Sequence, residues 1–237
     1  MNKRLLAAAI STAALACQAA EFSVTPVRIF MTPRDRAVAV TISNEGTESV
    51  VIQADLFAWK QKPTGEDDLT PTDGIVLSPP IVTIAPKARQ VLRLARVAPP
   101  ARGEEQTYRM ILREVPEAKP SDGTVKVQVA LAFSIPIFVT PPEAKRQLAC
   151  TTRRTARDSV QAVCENAGRA YVQARAFSLI GADTQKLVGR DSGGYILPGI
   201  QRSFDLKSPN AIPPGKVTLQ VGLDDGTTQA FEATLPE

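Results

Sequence analysis

The chain has 237 residues, 28 basic against 24 acidic side chains for a formal charge of +4, and no histidine. Without an imidazole there is no Ser-His or Cys-His catalysis and no His ligand for zinc, and two of the surplus charges, Lys3 and Arg4, fall in a leader segment, so the charge balance points to no nucleic-acid partner. No nucleotide-binding loop, metal-ligand cluster or GxSxG-type elbow appears, which sets expectations of no cofactor and no enzymatic activity.

Residues 1–20 read as a signal peptide. Lys3 and Arg4 form the positive start, Leu5 to Ala16 the short apolar stretch, and Ala19-Ala20 the cut before Glu21. The stretch is shorter than the roughly 20 apolar residues of a membrane span. Ala14 stands where a lipoprotein signal ahead of Cys17 would carry a branched apolar residue. The mature chain is expected to be exported, with no membrane insertion.

Strand patterns then follow one another at intervals of about ten residues. Residues 22–31 form the first, interrupted by Pro26. Residues 37–43 alternate, with Val38, Val40 and Ile42 on one face and a turn signal at Asn44-Glu45-Gly46. Residues 50–60 carry the single tryptophan, Trp59, and the polar stretch 61–73 reads as a loop. Strands at 81–84, 91–94 and 108–115 come next, the last stopped by Pro116.

From residue 125 to 137 the alternation has no break. Val125, Val127, Val129, Leu131, Phe133, Ile135 and Ile137 share one face of a strand of roughly 43 Å. A row that long needs its own domain to cover it or another chain to share it. Thr140-Pro141-Pro142 reads as a stiff linker. Beyond it, shorter strands are expected at 147–153, 159–164, 170–178, 194–197, 202–206, 216–222 and 230–235. The fold class is therefore all-β, with two sandwich domains, 21–141 and 142–237. Cys150 and Cys164, an even pair in an exported chain, are read as one disulfide. A redox or metal pair is the rival reading, and it lacks CxxC spacing and further ligands.

The sequence resembles the periplasmic chaperones of the chaperone–usher pathway that assembles pili. The resemblance rests on Phe22-Ser23-Val24-Thr25-Pro26-Val27-Arg28, Ile42-Ser43-Asn44-Glu45-Gly46, Leu77-Ser78-Pro79-Pro80 and Ala85-Pro86-Lys87 with Gln90-Val91-Leu92-Arg93-Leu94. It continues through the segment from Tyr108 to Pro116, Ile135-Pro136-Ile137-Phe138-Val139-Thr140-Pro141, Asn166-Ala167-Gly168 and Tyr195-Ile196-Leu197-Pro198-Gly199. Each piece is weak alone, and their order and spacing carry the likeness. The ending of the long strand looks like the archaic and spore-coat-U type branch.

The resemblance implies two immunoglobulin-like sandwiches set at an angle around a cleft, a location in the periplasm, and pilus subunits and an outer-membrane usher as partners. It implies that the chaperone lends a strand to a subunit lacking its last one, a form of β-strand addition. Val127, Val129 and Leu131 are then the main inserted residues, with Val125 and Phe133 extending the set, while Ile137 and Phe138 are read as intradomain core. Arg28 takes the role of the family arginine that holds the subunit's C-terminal carboxylate. The second family anchor, a lysine, aligns with Pro136, so Arg109 or Arg113 is expected to supply it, the choice being open. Glu105 and Asp225 fall where family acids help fix the interdomain angle, although their basic partner aligns with Thr140. Arg93 is a candidate for subunit or usher contact. Self-capping of the open strand in a dimer fits the hazard of exposed edges. The alternative function is an exported structural or adhesive two-domain sandwich protein.

Overall fold

The computed structural model describes residues 22–99, 103–116 and 130–237, and among them every regular helix or strand element is a strand. The expected leader and the expected donor residues Val125, Val127 and Val129 lie outside the described residues. The first half contains β1 (Phe22–Thr25), β2 (Ile29–Met31), β3 (Ala37–Asn44), β4 (Val50–Gln61), β5 (Asp67–Pro71), β6 (Ile75–Ser78), β7 (Ile81–Ile84), β8 (Arg89–Arg96), β9 (Gln106–Glu114) and β10 (Ala132–Val139). The second half contains β11 (Leu148–Ala156), β12 (Ser159–Asn166), β13 (Val172–Gly181), β14 (Lys186–Arg190), β15 (Gly194–Ile196), β16 (Gln201–Lys207), β17 (Gly215–Leu223) and β18 (Thr228–Leu235).

Each half is a sandwich of two sheets. In the first, β1-β3-β8-β6 packs on β2-β10-β9-β4-β5, with β7 also paired to β4. In the second, β11-β12-β16 packs on β14-β13-β17-β18, with β15 paired to β13. The period-two patterns explain the layers. Val40 and Ile42 of β3, Leu92 and Leu94 of β8, and Met110 and Leu112 of β9 all point into one core. A separate core gathers Val160, Phe177, Leu179, Phe204, Leu219 and others of the second half. Burying side chains of this size contributes roughly 1.5–3 kcal/mol each, so each half has its own driving force.

The first strand changes sheets at Pro26. Its first part pairs antiparallel with β3 and its second part pairs parallel with β10, as Ile137↔Ile29 through Val139↔Met31. The Asn-x-Gly segments at the ends of β3 and β12 are structural twins. The Asn44 side-chain amide donates to the Ile84 and Glu48 carbonyls, and Gly46 N–H returns a bond to its oxygen. Asn166 does the same with Ala170, Ile196 and Gly168. A side chain at position 168 would collide with the backbone of residues 145–147, which explains that glycine.

Three strands depart from expectation. The loop read at 61–73 contains β5, whose residues are all exposed and so show no alternation. It forms because the turn around Gly65, with φ of +83°, folds the chain back onto β4. The short strands β6 and β14 were not expected. Each is only four or five residues long, too short for periodicity to register. The Cys150–Cys164 disulfide is present and joins directly opposed positions of β11 and β12.

Candidate functional site

The apolar row of β10 leaves its own core gradually. Ile137 is 0 % and Ile135 2 % exposed, fully inside the first sandwich. Phe133 and Leu131 are only partly buried against that core, Phe133 by an edge contact with the Phe22 ring at 5.0 Å. One flank of β10 is paired with β9 from Ala132 to Val139, whereas β2 covers the other flank only at Ile137–Val139. Among the described residues, no strand lies along the outer flank of Ala132 to Pro136. Pro136 sits in that open stretch, as a residue without an N–H should.

The opposite face of the same sheet meets the second sandwich. Phe138, expected as intradomain core, is buried there instead, because period two turns it away from Ile137. Its ring stacks on Tyr171 at 3.9 Å and approaches Trp59, Tyr195 and Phe30 at 5.6–5.9 Å. Trp59 and Leu197 complete this small core between the halves. Polar bonds reinforce it. The buried Gln61 side chain donates to Tyr195 O and accepts from Leu197 N–H, imitating one rung of a sheet between β4 and β15.

Arg28 lies at one end of this junction. Its Nη1 donates to Gln173 Oε1 at 3.0 Å and to Asp224 Oδ2 at 2.7 Å, both on the second sandwich. The Arg28 side chain is 28 % exposed and that of Asp224 only 8 %. Tyr171 Oη also donates to Asp224 Oδ2, at 3.0 Å, and Arg146 Nη1 reaches Oδ1 at 3.4 Å. Burial, helped by the neighbouring Asp224 charge, pushes the Tyr171 hydroxyl far above the usual phenol range, so it stays a donor. The Arg28 guanidinium stands 5.9 Å from the ring of Phe30, which is exposed.

Arg109 lies at the other end. It is directly opposite Pro136 in the ladder, and its guanidinium is 3.7 Å from the Trp59 ring and 5.5 Å from that of Tyr195. Its Nη2 is 3.4 Å from Asp67 Oδ2, and its Nε is buried without a partner. Burial lowers its pKa from the usual arginine value, opposed by Asp67. Arg113 is four residues further along β9, away from the junction, and forms an exposed ion pair with Asp55. Of the two arginines the sequence left open, the fold brings only Arg109 to the second sandwich.

Glu105 bridges the two halves. Its Oε1 accepts from Tyr171 N–H at 2.9 Å and its Oε2 from the Thr140 hydroxyl at 2.6 Å. Burial raises its pKa above the usual carboxyl value, the two donors pulling the other way. Thr140 thus partners Glu105 where an ion pair was in doubt. Asp225, expected at the interdomain contact, is instead paired with Arg146 and with Thr227 in its own turn. The acid that reaches Arg28 across the junction is its neighbour Asp224; both acids lie in the turn after β17, and the Arg146 guanidinium contacts the two of them. Arg93 is exposed on the outer face of the other sheet, far from the junction. Sequence reasoning missed Gln61, Arg146, Tyr171, Gln173 and Asp224. The Asp224-Asp225 pair lies in a turn closed by the Gly226 N–H on the Leu223 carbonyl.

Residues 21–145 match the family model of the pili and flagellar-assembly chaperones, PapD N-terminal domain. No curated protein matches the chain at a significant level. Among solved structures, a chain of the CsuC–CsuE chaperone–tip adhesion subunit pre-assembly complex, from archaic chaperone-usher Csu pili of Acinetobacter baumannii, is 22 % identical with a TM-score of 0.65. The likeness covers 92 % of this chain and 100 % of that one. The E. coli chaperone DraB is 22 % identical with a TM-score of 0.57, over 91 % and 96 % of the two chains. A chain of the Salmonella enterica complex of SafA pilin with the SafB chaperone is 14 % identical with a TM-score of 0.61, over 93 % and 99 %. The two-sandwich all-β architecture is thus shared over 91–93 % of this chain. The family match covers more than half of the chain and runs through all ten strands of the first sandwich, so this chain belongs to the pili and flagellar-assembly chaperones.

Proposed function

We propose that the protein is a periplasmic chaperone that captures pilus subunits by donor-strand complementation and passes them to an outer-membrane usher. The observation that carries this reading is the apolar row of β10 and the preceding Leu131, which emerges from its own core at Phe133 and Leu131 along a strand edge that no described strand covers. A subunit missing one strand gains backbone bonds from that edge and buries the projecting side chains. Three or four such residues, at roughly 1.5–3 kcal/mol each, matter greatly to an incomplete sandwich. Val125, Val127 and Val129 continue the row in sequence and are assigned the same role. The subunit's C-terminal carboxylate is assigned to Arg28, whose planar fork suits it, with Arg109 as second cation in place of the family lysine. No ATP is needed, because release is driven by the better fit of the next subunit's own strand. The complexes of CsuC with CsuE and of SafB with SafA support a subunit of this type as the cargo.

Co-expression with a pilin encoded beside the chaperone tests the reading. Leu131→Asp is expected to abolish accumulation of the subunit in the periplasm while the chaperone itself stays soluble. Since Leu131 touches its own core, the thermal midpoint of the variant is measured alongside. Unchanged subunit levels with the variant would show that β10 is not the donor.

A further inference from the structure

We infer that Asp224 is the internal occupant of the carboxylate site: its own carboxylate rests on Arg28 in the free protein and gives way to the carboxylate that ends a bound subunit. The inference rests on the assignment of Arg28 as anchor. Asp224 Oδ2 and Gln173 Oε1 converge on one nitrogen, Nη1, and both hold the guanidinium across the junction. The carboxylate lies behind the cation: Asp224 is nearly enclosed while part of the Arg28 side chain still faces solvent. An incoming carboxylate therefore meets an arginine that already carries one.

The surroundings of Asp224 allow the exchange. A buried carboxylate stripped of its only cation is strongly disfavoured. Here Arg146 already faces Oδ1 and the Tyr171 hydroxyl already donates to Oδ2, so Asp224 stays paired when Arg28 turns to another acid. The free cluster balances two cations, Arg28 and Arg146, against Asp224 and Asp225. A ligand carboxylate adds an unbalanced negative charge beside Asp224, which lowers affinity. That is useful to a carrier that has to give up its cargo. Phe30, exposed beside Arg28, suits an apolar or aromatic terminal residue on the ligand.

The probe is the peptide acetyl-Ala-Val-Ala-Phe with a free α-carboxylate, with its carboxamide as control, titrated into the full chain and followed by NMR. The acid is expected to bind Asp224→Asn about fivefold more tightly than wild type, the scale of a part-exposed charge pair. The carboxamide is expected to bind both equally. Asn retains an acceptor for the Tyr171 hydroxyl, and matched thermal midpoints separate this effect from folding. Arg146→Gln removes the reserve cation and is expected to weaken acid binding by about threefold, on the same scale. An acid affinity that Asp224→Asn leaves unaltered or lowers, while Arg28→Ala still weakens it, overturns the exchange and spares the anchor. Acid binding that is equally tight to Arg28→Ala, or absent from every variant, overturns both.

Discussion

Replacing Gln61 with alanine removes one of the polar links between the sandwiches, together with a 3.2 Å bond to Asp67 in its own half. The side chain is buried, and it both accepts from Leu197 N–H at 3.0 Å and donates to Tyr195 O at 3.1 Å. Its loss strands the buried Leu197 amide, at about 1–3 kcal/mol for an unsatisfied donor. The Tyr195 carbonyl fares better, because Arg202 Nη1 also donates to it at 2.8 Å. There only the net worth of one bond is lost, about 0.5–1.5 kcal/mol. Together the junction should weaken by roughly 1.5–4.5 kcal/mol, with both separate cores intact. Amide hydrogen exchange reads this directly. At about 1.4 kcal/mol per factor of ten, Leu197 exchange should accelerate by roughly 10- to 1,500-fold, whereas amides such as Val40 and Leu219 hold their rates. Exchange at Leu197 within a factor of about three of wild type would refute the clamp, since even a loss of about 1.5 kcal/mol is a factor of about ten.

Glu105 should make stability pH-dependent in the opposite sense to a salt-bridged acid. Its pKa is raised in the folded protein, so folding takes up a proton, and stability falls as pH climbs from the usual carboxyl value through the raised one. Glu105→Gln should flatten that slope in denaturation midpoints taken across the acid range, and an unchanged slope would remove Glu105 as its source. Reduction of the Cys150–Cys164 bridge, which closes a sequence separation of 14, should cost about 3 kcal/mol in the chain-entropy model, measured by unfolding with and without reductant. Non-reducing mass analysis showing two free thiols would contradict the bridge. Arg109→Met keeps an apolar stem over Trp59 but loses the charge, and is expected to weaken subunit binding. Arg113→Ala, which removes an exposed pair worth about 0–1 kcal/mol, should leave binding unchanged. Equal effects of the two in a pull-down would cancel the distinction between them.

What the sequence by itself determined is the strand grammar. Alternation is a local property of adjacent side chains, so Val38-Val40-Ile42, the β10 row and the turn at Asn44 were legible without any neighbour, and so was the pairing of Cys150 with Cys164. Arg28 was named by the family resemblance alone, through the motif around Pro26, and not by alternation. Only the tertiary structure decided what each polar group meets. Asp224 and Asp225 are equivalent as letters and share Arg146, yet only the first is enclosed against Arg28 and Tyr171, while the second is exposed and bonds to Thr227 in its own turn. Arg109 and Arg113 share a strand and a face, and the second sandwich arrives over the first of them alone. Gln61 carries no motif at all, and it became a clamp because β15 lies across the end of β4. Contacts between side chains more than a hundred residues apart depend on how two finished sandwiches dock, and no period along the chain encodes that.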